Sequence, residues 1–476
     1  MENLSQKVRV RFAPSPTGNL HIGGMRTALF NWLFARHHGG AFLVRVEDTD
    51  LERSEQEYVN SQIDALKWCG IVSDESLIFQ SKRTKAYNEQ LKKLFEQDKV
   101  YRCICTSEEI EERVRKTGND DKYFGYDEFC RKEKITEQSE KPFVVRFALP
   151  EDVKRITIND LIRGKVTFDK AQLDDFIIIR SDGSPTYNFV VVVDDKFMRI
   201  TTVIRGDDHL SNTPKQILLY QACEFEPPKF AHIPLILNTN GQRLSKRDGA
   251  VDVLHYKTEG YLSDALVNYS VRLGWAHGNQ EIFTKEELVK YFTLRAVGKK
   301  AAIFDIQKLQ WLNSLYLKEM EPKACLQWLV DDVYSNLKER LSNWQESEIC
   351  KAIELYKDRV KTGKQMCDVL INLHDGPSLY EKADMEKWIS DQTSGYLDGV
   401  LSKLKVLDEF LAKNISDIVK EFCKEHEIKL VKIAQPLRIA LIGKASSPGV
   451  FEILGLLGKT ESIKRIHALQ RFLESH

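Results

Sequence analysis

The chain has 476 residues, of which 42% are hydrophobic and 29% charged, with 25 glycines and 13 prolines. This length exceeds what one hydrophobic core organises, so about two to four domains are expected, and the composition excludes a disordered, collagen-like or coiled-coil protein. Seventy Lys and Arg balance seventy Asp and Glu, so a uniformly basic nucleic-acid coat is excluded, whereas a local basic surface is not.

The N-terminal fifty residues alternate between strand and helix patterns. Val8–Phe12 reads as a short strand, which the prolines and glycine of Ala13–Gly18 break. Apolar residues at three- and four-residue spacing predict a helix from Gly23 that stops at Gly39-Gly40, and Ala41–Val46 reads as a second strand. This order opens a doubly wound parallel sheet, in which ligands bind beyond the carboxyl ends of the strands.

Two polar segments bear on nucleotide chemistry. His21-Ile22-Gly23-Gly24 stands at the predicted loop–helix junction, where a helix N-terminus favours phosphate and an imidazole can reach a phosphoryl oxygen. Gly241–Gly249 is a glycine-bounded loop with three cations around Ser245, and such cations can stabilise a pentavalent phosphorus. Taken singly, the first reads more simply as a helix cap and the second as a solvated loop. Together they favour a nucleotide site.

The same two segments carry a family resemblance. Pro14–Gly24 resembles the His-x-Gly-His motif of class I aminoacyl-tRNA synthetases, in the form typical of bacterial glutamyl-tRNA synthetases, and Arg243–Arg247 resembles their Lys-Met-Ser-Lys-Ser loop. This chain departs from the motifs at two positions: Gly24 replaces the last His of the first motif, and Arg243 replaces the first Lys of the second. Further segments similar to the family follow in the same order along essentially the whole chain: Val44–Asp50, Ser184–Phe189, Val193–Asp195, Val203–His209, Phe304–Asp305, Gln435–Arg438 and Ser447–Phe451.

The resemblance implies a multidomain α/β fold. A Rossmann-type doubly wound parallel sheet would hold an inserted acceptor-binding domain and be followed by an all-helical C-terminal anticodon-binding region. The predicted domains are the two halves of the catalytic domain (1–100 and 196–240), the insertion (101–195), a stem-contact domain with the Lys-Met-Ser-Lys-Ser-like loop (241–320), and two helical bundles (321–378 and 379–476). Sparse glycines and amphipathic patterns such as Leu401–Leu411 independently indicate helices in the last third.

The family joins glutamate to ATP as an adenylate and transfers the glutamyl group to the terminal ribose of tRNA, so ATP and Mg²⁺ are the implied cofactors. Arg11 would bind a substrate carboxylate through its planar fork and Glu47 the ammonium, although an ion pair across the sheet is the simpler reading of both. Residues carried over to ATP are His21, Gly23, Gly24, Arg243, Ser245, Lys246 and Arg247, with Lys246 the expected chief phosphate contact. Those carried over to glutamate are Arg11, Ser15, Glu47, Tyr187 and Arg205.

A tRNA partner is also implied. From Ile428 onward eight Lys and Arg stand against three Glu, a local basic excess that fits a surface following phosphates. The predicted tRNA contacts are Asp48, Asp208, Trp344, Arg359 and Arg438. We expect tRNA-Glu as the substrate. Whether tRNA-Gln is also charged depends on the reading of the third anticodon base, which one sequence leaves open.

The predicted insertion contains a candidate metal site. Cys103-Ile-Cys105 and Tyr126-x3-Cys130 place three thiols at a spacing that can begin a tetrahedral zinc site. Bacterial relatives often have a His two residues after the third Cys, where this chain has Lys132, a poor ligand. Tyr126 is the alternative fourth ligand, as in the related truncated enzymes that modify tRNA-Asp. Three reduced thiols without metal remain the simpler interpretation.

The other expectations concern compartment and competing functions. No apolar run reaches the roughly 18 residues of a membrane span, the N-terminus has no apolar signal core, and nine cysteines fit a reducing cytoplasm. We expect a cytoplasmic monomer that binds neither membrane nor DNA. A glutaminyl-tRNA synthetase would have a β-barrel anticodon region, the queuosine-modifying enzyme would lack the C-terminal third, and a non-catalytic tRNA-binding paralogue would have decayed motifs.

Overall fold

The computed structural model describes residues 7–49, 55–116, 126–133, 141–242, 244 and 252–475. It divides into two compact units, the first comprising Met1–Leu254 with Leu266–Ile306 and the second His255–Ala265 with Gln307–His476. No helix in the described part of the chain combines the length and the apolar character that crossing a membrane requires.

The strands lie in the first unit. They are β1 (Arg9–Phe12), β2 (Ala41–Val46), β3 (Ile78–Phe79), β4 (Val100–Cys103), β5 (Val144–Phe147), β6 (Arg155–Asp160), β7 (Gly164–Asp169), β8 (Ile177–Ile179), β9 (Thr202–Gly206), β10 (Lys229–Ile233), β11 (Ile236–Leu237) and β12 (Ala302–Ile303).

The helices occur in both units. Those that begin before residue 306 are α1 (Ile22–His37), α2 (Gln56–Trp68), α3 (Thr84–Glu96), α4 (Ser107–Lys116), α5 (Phe129–Lys132), α6 (Tyr187–Phe197), α7 (Thr213–Ala222), α8 (Val253–Thr258), α9 (Ser263–Arg272) and α10 (Lys285–Tyr291). The later ones are α11 (Ile306–Glu319), α12 (Pro322–Trp328), α13 (Leu337–Arg340), α14 (Glu346–Tyr356), α15 (Gly363–Asp375), α16 (Lys382–Trp388), α17 (Thr393–Lys405), α18 (Ala412–Glu425), α19 (Val431–Ile442) and α20 (Val450–Ser475).

The predicted doubly wound sheet is confirmed. Strand β1 pairs in parallel with β2, and β2 with β3, while β9 pairs in parallel with β10. The Thr201 amide donates to the Arg9 carbonyl at 2.9 Å, which sets the start of β9 beside β1. In β2 every residue after the half-buried Ala41 is buried, as expected for a parallel strand covered on both faces. The carboxyl ends of β1, β2 and β9 therefore meet at one edge of the sheet.

Antiparallel strands follow within the predicted insertion. Strand β5 pairs with β4 and with β8, and β6 forms a hairpin with β7 in which Asp160 stands opposite Gly164. Burial alternates residue by residue along β6, so this hairpin has one buried and one solvent-exposed face. Asp160, the last residue of β6, is a carboxylate on the buried side of this hairpin.

The second unit confirms the all-helical expectation for the last third of the chain. Its described residues after Ile306 form helices around two hydrophobic clusters, one of which includes Leu370 and the other Leu437. The pattern Leu401–Leu411 is not one helix, however, since α17 ends at Lys405 and α18 begins at Ala412. Leu407 and Phe410 lie in the loop between these helices and still pack against the second cluster. The spacing of these apolar residues therefore indicates that they are buried, but not that they are helical.

Candidate active site

A cavity of about 910 Å³ opens at the carboxyl edge of the parallel sheet. Its lining includes Arg11 from β1, Glu47 just after β2, and Arg205 from β9. This is where a doubly wound sheet places its ligands. The predicted site residues that the structure brings together in this lining are Arg11, Ser15, His21, Gly23, Gly24, Glu47, Tyr187, Arg205 and Asp208.

His21 is the N-cap of α1. Its Nδ1 accepts hydrogen bonds from the amides of Gly23 and Gly24 at 3.1 and 3.3 Å. A ring nitrogen that accepts two amide protons carries no proton itself, so the neutral imidazole bears its hydrogen on Nε2. The simpler sequence reading, a helix cap, thus describes His21 correctly, and the capping fixes the tautomer of a ring that lines the cavity.

Neither Gly23 nor Gly24 has ordinary room for a side chain, because Gly23 lies against the His21 ring and Gly24 against Leu20. A Cβ on Gly23 would lie 3.0 Å from His21 Cε1, and one on Gly24 would lie 2.9 Å from Leu20 Cδ1. Both contacts are shorter than ordinary van der Waals separations. The Gly23 and Gly24 amides are also the ones that His21 Nδ1 accepts from, so the phosphate-binding capacity expected of this helix start is partly taken up by the imidazole.

Beneath the cavity lies a buried network of charges. Arg11 donates to both oxygens of Asp195 at 3.1 and 3.3 Å, and Arg45 donates to Asp195 at 2.6 Å and to Glu47 at 3.2 Å. Burial opposes ionisation of Asp195, but the two guanidinium groups outweigh it and hold the pKa of Asp195 below its usual value. At Glu47 burial wins, and its pKa is raised despite Arg45 and Arg11.

This network leaves cationic capacity for a ligand. Arg11 uses Nε and Nη2 for Asp195, and within the described residues its Nη1 has no hydrogen-bond partner. Arg205 uses Nε and Nη2 for His232 and Thr213, and its buried Nη1 likewise lacks a partner in the described part of the chain. Two guanidinium groups with unused donors in one cavity lining suit a ligand that carries carboxylates.

The other residues predicted to contact glutamate (Tyr187 and Ser15) or tRNA (Asp48 and Asp208) differ in their surroundings. The Tyr187 hydroxyl lies 3.0 Å from His209 Nδ1. Ser15 is exposed on the loop after β1, and Asp208 lines the cavity. Asp48 is not part of the lining, because its carboxylate accepts hydrogen bonds from the backbone amide and the hydroxyl of Ser81 at 2.9 and 2.6 Å.

The predicted cationic loop lies mostly outside the described residues, and Arg243, Ser245, Lys246 and Arg247 are among those not described. The residues that flank the 245–251 stretch are described and are informative. Leu244 and Asp252 both line the cavity. Asp252 forms a backbone bridge with His21, and the amide of Val253 donates to the Leu20 carbonyl at 2.8 Å. The chain therefore leaves the 245–251 segment beside the helix start that carries His21, and it enters that segment from a residue of the cavity lining.

Comparisons with known proteins agree with this geometry. Residues 7–311 match the family described as tRNA synthetases class I (E and Q), catalytic domain, and residues 323–470 match an anticodon binding domain. The chain is 48% identical to a glutamate–tRNA ligase from Thermodesulfovibrio yellowstonii over 96% of this chain and 98% of the relative. It belongs to the glutamyl-tRNA synthetase family. The predicted resemblance is confirmed.

Other family members extend the match. A glutamate–tRNA ligase from Pelobacter propionicus is 44% identical over 98% of this chain and 99% of its own length. The crystal structure of a glutamate tRNA ligase from Elizabethkingia meningosepticum, in complex with its amino acid, superposes with a TM-score of 0.87 at 32% identity, covering 98% of this chain and 99% of the other. The family match therefore spans the catalytic and the helical parts alike.

The residues predicted to contact the anticodon lie on separate elements of the helical unit. Trp344 is half-buried before α14, with its ring 5.6 Å from that of His374. Arg359 is exposed after α14, and Arg438 on α19 has a buried Nε without a partner among the described residues. Arg465, counted in the basic excess, is buried and donates to the carbonyls of Leu373 and Leu441. It holds helix ends together instead of facing solvent.

The three predicted cysteine ligands converge. The sulfurs of Cys103, Cys105 and Cys130 lie within 4.8 Å of one another, with 3.4 Å between Cys105 and Cys130. The Tyr126 hydroxyl is 3.9 Å from Cys105 Sγ. Tetrahedral zinc with bonds of about 2.3 Å to sulfur sets neighbouring sulfurs about 3.8 Å apart, so these thiols fit the ion. Lys132 does not join them, since its Nζ donates to the Asp127 carbonyl at 3.1 Å.

Sequence reasoning missed four residues at or near the cavity: Asp160, Asp195 as an ion-pair partner, His209 and His232. Asp195 and His209 stood inside segments that resemble the family, but their contacts join residues far apart in the chain. Arg11 and Asp195 are 184 positions apart, and Asp160 and His232 are 72. A local sequence pattern cannot predict pairs of residues that are this far apart in the chain.

Proposed function

We propose that this protein ligates L-glutamate to the 3′-terminal ribose of tRNA-Glu in two steps. Glutamate and ATP form glutamyl-adenylate with release of pyrophosphate, and the glutamyl group then passes to the ribose with release of AMP. Three observations support the proposal. The chain belongs to the family, it matches relatives named glutamate–tRNA ligase over nearly the whole length of each relative, and the residues that line the cavity suit these substrates. We further propose that it works as a cytoplasmic monomer.

Activation requires no covalent enzyme intermediate. The glutamate α-carboxylate attacks the α-phosphorus of ATP in line with the departing pyrophosphate, and the rate comes from positioning and charge stabilisation. In this proposal the His21 Nε2–H donates to phosphate oxygen, and Lys246 places a cation on the same phosphates. Mg²⁺, when bound with ATP, would neutralise phosphate charge.

Glutamate selection is assigned to the charged lining. The unused donors of Arg11 and Arg205 would bind carboxylate oxygens, and the carboxylate of Glu47 would hold the substrate ammonium. Tyr187 and Ser15 would supply hydroxyl groups. The assignment uses the fact that Arg11 is already fixed by Asp195, so its guanidinium is oriented before the substrate arrives and loses little further freedom on binding.

One observation carries the proposal. The backbone bridge between His21 and Asp252 joins the residue that follows the 245–251 segment to the helix start that carries the imidazole, and Leu244, the residue before that segment, lines the same cavity as His21. Adenylate formation in this family calls for an imidazole and a cationic loop at one nucleotide, and the proposal assigns these parts to His21 and to the segment between Leu244 and Asp252.

Aminoacylation assays test the proposal directly. Purified tRNA-Glu and tRNA-Gln are charged side by side with radiolabelled glutamate. Lys246→Ala should lower turnover by at least ~100-fold, the scale of one preorganised charge contact, whereas Lys85→Ala, at a lysine whose side chain is 92% exposed, should leave it unchanged. Charging of tRNA-Glu supports the proposal, and charging of tRNA-Gln as well would extend it. Charging of neither, or full activity of Lys246→Ala, would contradict it.

We also propose a structural zinc ion held by Cys103, Cys105 and Cys130, with Tyr126 as the fourth ligand. The support is the sulfur spacing together with the electrostatics of the cluster. Burial opposes ionisation of Cys103, but hydrogen bonds from Tyr126 and Arg146 prevail and lower its pKa, and Arg113 Nη2 lies 3.2 Å from Cys105 Sγ. At Cys105, burial and the hydrogen bond with Cys130 outweigh Arg113 and raise the pKa of the thiol to about 12, and burial also raises the pKa of Tyr126. The electrostatics therefore favour ionisation of Cys103, whereas Cys105 and Tyr126 would lose their protons to the metal on binding.

Metal analysis decides the zinc proposal. Protein prepared without chelator should contain about one zinc per chain, because three thiolates suffice to retain the ion. Cys130→Ser should lose most of it, while Cys350→Ser, whose thiol is half-buried in the helical unit, should retain it. A stoichiometry well below one in the unmodified protein, or equal zinc in both variants, would refute this ligand set.

A further inference from the structure

A buried polar chain leads from the β6–β7 hairpin to Arg205. Asp160 Oδ2 lies 2.7 Å from His232 Nδ1. On the other side of the ring, His232 Nε2 lies 3.2 Å from Arg205 Nε and 3.0 Å from the Thr213 hydroxyl. The side chains of Asp160 and His232 are fully buried. None of the roles assigned above uses Asp160 or His232.

The protonation pattern of this chain is fixed by its neighbours. Arg205 Nε always carries a hydrogen, so His232 Nε2 must accept, and the ring proton must reside on Nδ1 facing Asp160. Burial lowers the pKa of His232 below its usual value. Burial alone would raise the pKa of Asp160, but the hydrogen bonds from His232 and from backbone amides outweigh it and lower that pKa. The pair is therefore a neutral imidazole and a carboxylate.

Asp160 is itself held in place. Its Oδ1 accepts hydrogen bonds from the amides of Ile162 and Arg163 at 2.9 and 2.7 Å, in the turn that follows β6. The backbone amide of His232 donates to Asp160 as well, at 3.1 Å. The carboxylate can therefore not rotate without breaking several bonds, and it holds the imidazole in one orientation and one tautomer.

These contacts fix the orientation of the Arg205 guanidinium. With Nε directed to His232 and Nη2 to Thr213 at 2.8 Å, Nη1 is the nitrogen of this guanidinium left unpaired within the described residues. Unpaired buried N–H groups are rare in folded proteins unless a ligand or water takes them. We propose that Asp160 and His232 are positioning residues, which orient Arg205 so that Nη1 is presented to a carboxylate of the amino-acid substrate. This inference rests on the proposed function, because the substrate contact of Arg205 is assigned there.

Asp160→Asn is the sharpest test. With the Asn carbonyl oxygen kept under the Ile162 and Arg163 amides, its NH₂ group faces His232 Nδ1 and must donate to it. The ring proton then moves to Nε2, where it opposes Arg205 Nε–H. We expect the KM for glutamate to rise at least ~10-fold, the order expected of a misplaced binding group, with the KM for ATP unchanged within about twofold. Asp169→Asn, at an exposed position of β7, is the matched control.

His232 supplies the second arm. His232→Leu removes the acceptor and should raise the glutamate KM as Asp160→Asn does, whereas His232→Gln retains an amide oxygen as acceptor and should rescue part of the loss. Imidazole ¹⁵N shifts, assigned by the resonance that disappears in His232→Gln, should report the Nδ1–H tautomer in the unmodified protein and the Nε2–H tautomer in Asp160→Asn. If Asp160→Asn does not fold, the two His232 variants carry the comparison.

A merely structural role is separated by working in the Arg205→Ala background. Positioning acts through Arg205, so Asp160→Asn should add nothing to the loss of glutamate affinity once that side chain is gone. An equal fold-loss in both backgrounds, or an unaltered glutamate KM with the tautomer switched, would overturn the inference. Failure of the unmodified protein to charge glutamate would instead refute the proposed function, so the two failures are distinguishable.

Discussion

At the scale of single residues, burial sets the protonation states inside the cavity. The Tyr187 hydroxyl lies 3.0 Å from His209 Nδ1. Burial, reinforced by the positive charge of Arg205, lowers the pKa of His209 to about 4, and burial raises the pKa of Tyr187. Both groups are therefore neutral at neutral pH, and one of them donates the hydrogen of this bond. In either arrangement the Tyr187 oxygen keeps a lone pair as an acceptor, which suits the proposed contact with an amino acid that carries an ammonium group.

The His209 shift predicts a pH-dependent stability. The unfolded chain binds a proton at this residue near the usual pKa of about 6.5, whereas the folded chain binds it only near 4. Between these values the unfolded state holds more protons, so stability falls as the pH falls through this window. We expect His209→Gln to lose less stability than the unmodified protein between pH 6.5 and 4.5, measured as the change in thermal unfolding midpoint.

The control for this prediction is a histidine outside the cavity. His255→Gln changes an exposed histidine of α8, and the stability of this variant should follow that of the unmodified protein across the same pH range. Parallel curves for His209→Gln and the unmodified protein would contradict a neutral His209 in the folded state.

How much of the site the sequence could reveal also differs residue by residue. The family motifs named Arg11, His21, Glu47, Tyr187 and Arg205, and the structure gathers them at one cavity. The motifs could not show that Arg11 is fixed by Asp195, because an ion pair between residues 184 positions apart depends on how β1 and α6 pack. Motif reading thus finds the side chains that meet a ligand more readily than those that hold them in place.

At the scale of elements, the start of α1 joins stability to function. Its N-cap is the ring of His21, and a methyl group on Gly23 would lie 3.0 Å from Cε1 of this ring, closer than an ordinary van der Waals contact. Alanine is ordinarily preferred to glycine inside a helix by about 0.5–1 kcal/mol. The helix propensity and the placement of the His21 ring therefore make opposite demands on this position.

Gly23→Ala separates the two demands. The new Cβ would lie 3.0 Å from His21 Cε1, so the imidazole must shift by a few tenths of an ångström or more. We expect pyrophosphate exchange to fall about 10-fold, as expected when a catalytic group is misplaced by part of an ångström, while the thermal unfolding midpoint stays within about 2 °C or rises. Steady-state kinetics and differential scanning calorimetry measure the two effects.

Gly395→Ala on α17 is the matched control, since a Cβ there meets no atom within 4 Å and the residue lies outside the cavity lining. It should leave exchange unchanged, and the thermal unfolding midpoint should stay unchanged or rise. If Gly23→Ala lost activity and its thermal unfolding midpoint also fell clearly, the loss of activity would be explained by unfolding of the helix start. If its activity were normal, the present position of the His21 ring would not be required for activity.

The elements that the sequence predicted well are those whose cause is local. Ala41–Val46 is a strand with the predicted bounds, and the helix that follows Gly23 was expected from three- and four-residue spacing alone. The stripe through Leu401–Leu411 misled, because Leu407 and Phe410 satisfy apolar burial from a loop. Periodicity reports which side chains are buried, and it predicts a helix only when burial and helical geometry coincide.

At the scale of the whole molecule, topology assembles what the linear order separates. Strands β1, β2 and β9 bring their carboxyl ends to one edge, and the cysteines of two segments converge on one cluster. The order of segments that resemble the family predicted this general arrangement. It could not predict which cations of the helical unit face solvent. Arg465 is buried among helix ends, whereas Lys429 and Lys432 are exposed.

The exposed cations of the helical unit predict a salt dependence for tRNA but not for the small substrates. Neutralising phosphates releases counterions, so tRNA-Glu affinity should fall at least ~10-fold between 50 and 200 mM KCl, while the glutamate KM, set in a buried cavity, should change less than about twofold. Lys432→Ala should reduce the slope of log Kd against log salt by about one, as measured by filter binding. Lys403→Ala should not, because Lys403 is already paired with Glu425 at 2.6 Å. Equal slopes for both variants would show that tRNA phosphates follow a different surface.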